Sequence, residues 1–247
     1  MQLERILQSQ GFGTRRESRG LIRNGRVALA GAVCDDPFAE LDPHGLEFSV
    51  DGVAWTWREH AYVLLNKPAG YECSHSPQHH PSVFGLLPAP LVGRGVQCVG
   101  RLDEDTTGLL LLSDDGTFIH ALSSPRRKVA KAYRATLKHA ADDRLLDALR
   151  GGVLLHGERE PVVAASCHLA DPHTLHLTIT EGKYHQVKRM VAAAGNRVEG
   201  LHRQAVGGLV LPAELPEGAW RWLAEADLAA LRAGPTAAGG ASDGLIG

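Results

Sequence analysis

The chain has 247 residues, 44% of them apolar, and a net charge of -2 at neutral pH. That length accommodates one medium domain and a small one, and the apolar share excludes a disordered chain. The longest aliphatic run, Thr107–Ser113 (TGLLLLS), is too short to span a bilayer, and the opening MQLERILQSQ carries charge where a secretory leader is apolar. A soluble cytoplasmic protein with no membrane partner is therefore expected. Cys34, Cys73, Cys98 and Cys167 form no CxxC pair and read as free thiols, with neither a structural zinc site nor a redox pair indicated.

Charge is segregated along the chain. Residues 1–31 hold Arg5, Arg15, Arg16, Arg19, Arg23 and Arg26 against Glu4 and Glu17, while residues 32–60 hold seven acids against Arg58. Such an arrangement puts a basic face on one small module, although a merely solvated helix face would look the same.

In chain order, Leu3, Ile6 and Leu7 fall on one helical face. Thr14-Arg15-Arg16-Glu17 fits a capping box that opens a second helix, which runs to about Arg23 with Gly25 as its stop. RVALAGAV reads as strand, turn and strand, and EFSV-DG-VAW as a hairpin around Asp51-Gly52. Residues 1–58 thus form a helix–helix–β unit. YVLLNKPAGY is a buried strand ended by Lys67-Pro68, and residues 71–95 are a long loop with a short helix near 83–87. VQCVG (96–100) and GLLLLS (108–113) are buried strands around a polar loop. A turn at Asp115-Gly116 leads into a helix beginning at 117–122. KAYRATLK (131–138) alternates as a strand, ADDRLLDALR (141–150) is helical, and VVAASCHL and TLHLTIT are further strands. His185–Ala194 is a helix with Val187, Met190, Val191 and Ala194 on its apolar face and His185, Lys188 and Arg189 on a polar one. Residues 234–247 (from GPTAAGG onward) read as a low-complexity, disordered tail. The pattern is α+β, with much of the sheet antiparallel.

Three segments carry chemistry. GRLDEDTTGLLLLSDDG (100–116) places Arg101, Asp103 and Asp105 in a short loop between two apolar strands, which can present a carboxylate into a cleft. The same residues could equally pair with one another and cap the turn. Tyr133 follows the cations Arg126, Arg127, Lys128 and Lys131, a mixture suited to a stacked base flanked by phosphates. A core-packed strand tyrosine is the alternative. EGKYHQVKRM (181–190) offers a cationic helix face, for phosphate or for a carboxylate. His75, His79 and His80 lack a completing acid or cysteine, so no metal is expected. GFG (11–13) and GRG (93–95) complete no phosphate-binding fingerprint. Asp103 and Asp105 are too close in sequence to flank one glycosidic bond as a glycosidase pair would.

Two resemblances bear on these residues. MQLERILQSQGFGTRRESRGLIRNGRVALAGAV resembles an S4 RNA-binding domain, with Gly20 where a small alanine is common. From about Tyr62 to Leu231, the blocks LLNKPAGY, GRLDEDTTGLLLLSDDG, SPR…KAY and EGKYHQVKRMVAAAGNRVEGLHR resemble, in order, the RsuA/RluB/E/F group of pseudouridine synthases. The wording DTTGL, EGKYHQVKRM and AAAGNRVEGLHR is most similar to the members acting on small-subunit rRNA.

The resemblance implies an S4 domain at 1–58 and a catalytic domain at 59–233, with a long mixed, mostly antiparallel sheet and flanking helices. It implies an isomerase that turns uridine into pseudouridine in ribosomal RNA, with 16S rRNA and its position 516 as the expected target. A 23S target, or a non-catalytic RNA-binding or ribosome-assembly role, is the alternative. No cofactor is expected, since the reaction needs neither redox change nor external group, and the protein is expected to act as a monomer on rRNA. Asp103 falls on the catalytic aspartate, Tyr133 on the active-site tyrosine, and Lys188 on the basic residue that keeps the aspartate charged. RNA contacts are expected from Arg15, Arg16, Arg19, Arg23, Arg26, Lys67, Arg101, Arg126, Lys131, Lys183, His185, Gln186 and Arg189.

Overall fold

A computed structural model of the chain describes residues 1–232. The tail expected at 234–247 lies outside the described residues. Among them, no helix is long and apolar enough to cross a membrane.

The N-terminal unit forms as its capping signals require. Helix α1 (Leu3–Ser9) packs on α2 (Arg15–Arg23), and the capping box is complete: Thr14 accepts the Glu17 N–H, and the Glu17 carboxylate accepts the Thr14 N–H at 2.7 Å. Gly25, at φ +66°, turns the chain out of α2. Strands β1 (Val27–Leu29), β2 (Ala32–Val33), β3 (Glu47–Val50) and β4 (Val53–Thr56) form an antiparallel sheet of order β2-β1-β3-β4. The β3–β4 hairpin turns at Asp51-Gly52, both with positive φ, as a tight two-residue turn requires. Leu3, Ile6, Leu7, Ile22, Val27, Phe48 and Val50 make the unit's own core.

The second unit is built on a nine-stranded sheet. Its path joins β5 (Tyr62–Lys67), β7 (Thr106–Ser113), β8 (Lys131–Leu137), β9 (Ser166–Asp171), β10 (Thr174–Ile179), β11 (Val198–Val206) and β13 (Trp220–Trp222) in the order β13-β5-β7-β11-β8-β10-β9. Strands β6 (Gln97–Val99) and β12 (Leu209–Val210) pair with β7 and β11, and only the β7–β11 pairing is parallel. The mixed, mostly antiparallel character expected from the sequence is therefore present.

The aliphatic run of β7 has a simple cause. Leu110 and Leu112 enter a core beneath helices α5 (Asp143–Gly151) and α6 (Gln186–Ala193), while Leu109 and Leu111 enter another with α4 (Gly116–Ser123) and α7 (Glu225–Arg232). A strand covered on both faces has no reason to alternate. Each such leucine contributes about 1.5–3 kcal/mol by burial.

Some expectations fail locally. Asp115 does not form a turn but caps α4, accepting the N–H groups of Thr117 and Phe118. Residues 162–165 are not strand; Val162 makes only an isolated bridge to Val153. The nine-residue β11 departs from the sequence reading because Glu199, His202, Arg203 and Gln204 break the apolar alternation that marks a strand, and the three-residue β13 is too short to show one.

The two units are locked together through residues 10–11, 55–58 and 93–94. The Gln10 side chain is fully buried; it donates to the Arg58 carbonyl at 3.0 Å and accepts from the Arg58 N–H and Arg94 Nη1. Arg94 lies on the C-terminal side of the short helix α3 (Ala89–Gly93) and also bonds Asp114 at 2.6–2.7 Å. Trp55 meets Trp222 edge-on at 5.6 Å, and the Arg58 guanidinium covers the same Trp222 ring. At the centre, the backbones touch: a Cβ on Gly93 would lie 2.3 Å from the Gly11 carbonyl oxygen. Gly11 of the GFG triplet thus serves close approach between units. Gly93→Ala should lower the urea-unfolding free energy by about 1–3 kcal/mol, as overpacking does, and should quicken proteolysis between residues 57 and 61. Unchanged stability and cleavage would show that the contact yields at no cost.

Candidate active site

A cleft of about 830 Å³ opens on the α6 face of the sheet. Its lining includes Arg101, Asp103, Lys131, Tyr133, Tyr184 and His185, with Leu201 and Arg203 on the floor.

Asp103 sits on the loop between β6 and β7, with its side chain about one quarter exposed. That loop is fixed from beneath. Lys67, the last residue of β5, is fully buried, and its ammonium donates to the carbonyls of Pro68 (3.0 Å), Glu104 (3.1 Å) and Thr106 (2.8 Å). The Gly70 N–H adds a bond to the Glu104 carbonyl, and the Thr106 N–H one to that of Asp103. Burial pulls Lys67 below the ordinary lysine range, against the opposing pull of Cys73 and the loop acids. Lys67 was expected on the RNA surface. With its charge spent on three buried carbonyls, it is a brace for the loop instead.

Across the cleft, α6 brings two side chains to Asp103. His185 Nε2 lies 3.3 Å from Oδ1, and Lys188 Nζ lies 3.3 Å from Oδ2. Lys188 is shared: it also bonds Asp105 Oδ1 at 2.6 Å, closer than it approaches Asp103. Burial alone would depress the Lys188 pKa, but the Asp105 hydrogen bond and the charge of both aspartates raise it. Burial likewise acts to raise Asp105, and the Lys188 bond holds it below the usual carboxylate value. Lys188 therefore stays cationic and supplies counter-charge to Asp103. His185 adds positive charge only when protonated.

Tyr133 is buried in the α6-side core and also forms the cleft wall, so the packed-core and cleft readings of this residue both hold. Its neighbour in the next strand is Arg203, which is 2% exposed, bonds the Leu109 carbonyl at 2.7 Å and leaves Nη2 without a partner. Neither the arginine nor its role was read from the sequence. No local signal marked it, because the strand that carries it does not show an apolar alternation. Lys131, one pair of residues along the same face, is depressed to about 8, first by burial and then by Arg203.

The remaining expected contacts divide. Arg101 is exposed in the cleft lining, and Lys183 lines it while paired to Glu158 at 2.5 Å. Gln186 lines the cleft but is nearly buried, and its side-chain oxygen accepts the Lys183 N–H and so braces the loop. Arg189 turns away from Asp103 and bonds the carbonyls of Tyr184 and His156. Arg126 is exposed outside the cleft lining. On the N-terminal unit, Arg19 is tied to the buried Glu4 at 2.7 Å and Arg26 to Asp51 at 2.5 Å, whereas Arg15, Arg16 and Arg23 are exposed. Cys73 and Cys98, far apart in sequence, are neighbours here: interaction with Cys98 holds the Cys73 thiol below its ordinary range, while Cys73 and burial push Cys98 up.

The chain belongs to the RNA pseudouridylate synthase family, whose model matches residues 61–193. It is 37% identical over 229 residues to the ribosomal small subunit pseudouridine synthase A of Haemophilus influenzae, spanning 92% of this chain and 98% of that one. It is 38% identical over 235 residues to the enzyme of the same name from Escherichia coli, spanning 94% and 100%. A crystal structure of a pseudouridylate synthase superposes with a TM-score of 0.67 at 36% identity, over 94% of this chain and 99% of that chain.

Lys131 offers a pH test of the site's electrostatics. Its folded pKa of about 8 lies below the ordinary 10.5, so between those values the unfolded chain binds the extra proton. Stability contributed by this group therefore rises with pH across that window. Wild type should gain stability relative to Lys131→Met as pH goes from 8 towards 10, measured by urea unfolding. A difference that stays constant with pH would contradict the depressed lysine.

Proposed function

We propose that this chain isomerises a uridine of 16S ribosomal RNA to pseudouridine, with position 516 as the target. The observation that carries the chemistry is Asp103, fixed on a braced loop with Lys188 and His185 each 3.3 Å away. The choice of small-subunit RNA is supported by relatives of that name matched over nearly the whole chain at 37–38% identity.

In this reading, the target base leaves its stack, at a cost of roughly a few kcal/mol, and enters the cleft. Asp103 opens the N1–C1′ bond, as a nucleophile or as a base at C2′. The uracil turns and rejoins through C5, and the C5 proton is then removed. Tyr133 stacks on the uracil, and its hydroxyl is placed to assist that last proton transfer. Lys188 keeps the aspartate's charge compensated throughout, and its bond to Asp105 holds it in position. Arg101 supports the flipped-out state from the rim. The unit at 1–58 acts as an S4-type grip on phosphates, through Arg15, Arg16 and Arg23 in particular.

Asp103→Asn should bind the RNA and form no pseudouridine, read by mapping pseudouridine in 16S rRNA from cells carrying only the variant. Product at the wild-type level would remove Asp103 from the reaction, and a site missing from 23S rather than 16S rRNA in a deletion strain would move the target. Replacing Arg16 and Arg23 by Gln should weaken rRNA binding and reduce the slope of log K against log salt by about one unit per lost phosphate contact. An unaltered slope would mean that this face does not touch the backbone of the RNA.

A further inference from the structure

Tyr184 lines the cleft with 76% of its surface open, yet it is held in place. Its ring stacks on His185 at 3.8 Å between centroids and 19° between planes. Neighbouring side chains in an extended chain point to opposite sides; here His185 adopts left-handed backbone, φ 46° and ψ 36°, and the two rings come together. A non-glycine residue in that region costs on the order of 1 kcal/mol. The surrounding loop offsets this with bonds of its own. Arg189 donates to the Tyr184 carbonyl at 3.2 Å, Lys183 donates its N–H to Gln186 at 2.9 Å, and the Lys183 ammonium pairs with Glu158.

The stack has an inside and an outside. Its inner ring, His185, contacts Asp103 at 3.3 Å, and its outer ring opens to solvent at the cleft mouth. Extruding a uridine strips the adjacent nucleotide of a stacking partner. An immobilised, solvent-facing aromatic ring one residue from the aspartate's own contact offers a replacement surface. Any base has a π-face for such a ring, so the contact tolerates sequence while fixing position.

We propose that the Tyr184–His185 stack is a platform for the nucleobase adjacent to the target uridine, which locates the strand so that the uridine itself reaches Asp103. The proposal rests on the RNA-modifying reading above. The test uses a 16S rRNA fragment with 2-aminopurine placed on either side of the target, one position at a time. Binding to the full chain should change the fluorescence at one of the two positions as that base moves onto the ring. Tyr184→Ala should abolish the change and raise Kd about tenfold, and Tyr184→Phe should keep both the signal and the affinity. Identical signals from wild type and Tyr184→Ala, with RNA bound to each, would overturn the platform. Failure of the wild-type chain to bind the fragment would overturn the small-subunit reading, and the platform with it.

Discussion

The buried ammonium of Lys67 is the constraint on which the site depends. An unpaired charge in a protein interior is costly, and here the cost is met by three backbone carbonyls. One of these, Glu104, belongs to the loop that carries Asp103, and Thr106 opens the strand that follows it. A polar loop between two apolar strands would otherwise hold several unsatisfied acceptors. By gathering them around one cation, the fold gives the loop a single conformation and leaves the carboxylate itself available. Asp103 then needs only a modest set of partners from α6, because its position is already determined from below.

Charge in the cleft is arranged as a graded set rather than as one ion pair. Lys188 bonds Asp105 at 2.6 Å and stands 3.3 Å from Asp103. Asp105 therefore holds the lysine in place, and Asp103 keeps the looser of the two contacts. Beneath them lie Arg203 and Lys131, both on the floor and neither paired with a carboxylate. Cationic groups of this kind are expensive in a core and are understandable beside a polyanion.

Much of this was legible in the sequence where local chemistry decides the outcome. Thr14 with Glu17, and Asp51 with Gly52, specify a cap and a turn through bonds made within a few residues. Asp103, Tyr133 and Lys188 were readable as blocks in order; the structure puts Asp103 and Tyr133 in one cleft lining and Lys188 3.3 Å from Asp103. What escaped was set by distant partners. Lys67 looked like any surface cation, because burial depends on a loop nearly forty residues away. GFG at 11–13 matched no phosphate-binding fingerprint, and the role of Gly11 stayed hidden because its neighbour is Gly93. Arg203 and β11 were hidden by polar residues tolerated only because strands flank them on both sides. Asp105 read as a loop acid able to pair within its own turn, and its partner is Lys188 from a helix far along the chain.

The close approach of Gly11 to Gly93, with Gln10 and Arg94 beside it, makes the two units a single rigid instrument. An RNA gripped as proposed would meet a fixed span between the arginines of α2 and the carboxylate in the cleft. Once the first contact forms, the second becomes an intramolecular event at high effective concentration, but only for an RNA whose own geometry matches the span. On that reading such a molecule would work as a calliper. It would reject a correct short sequence presented on the wrong scaffold, and so select a site by its distance from a structural landmark as well as by its bases.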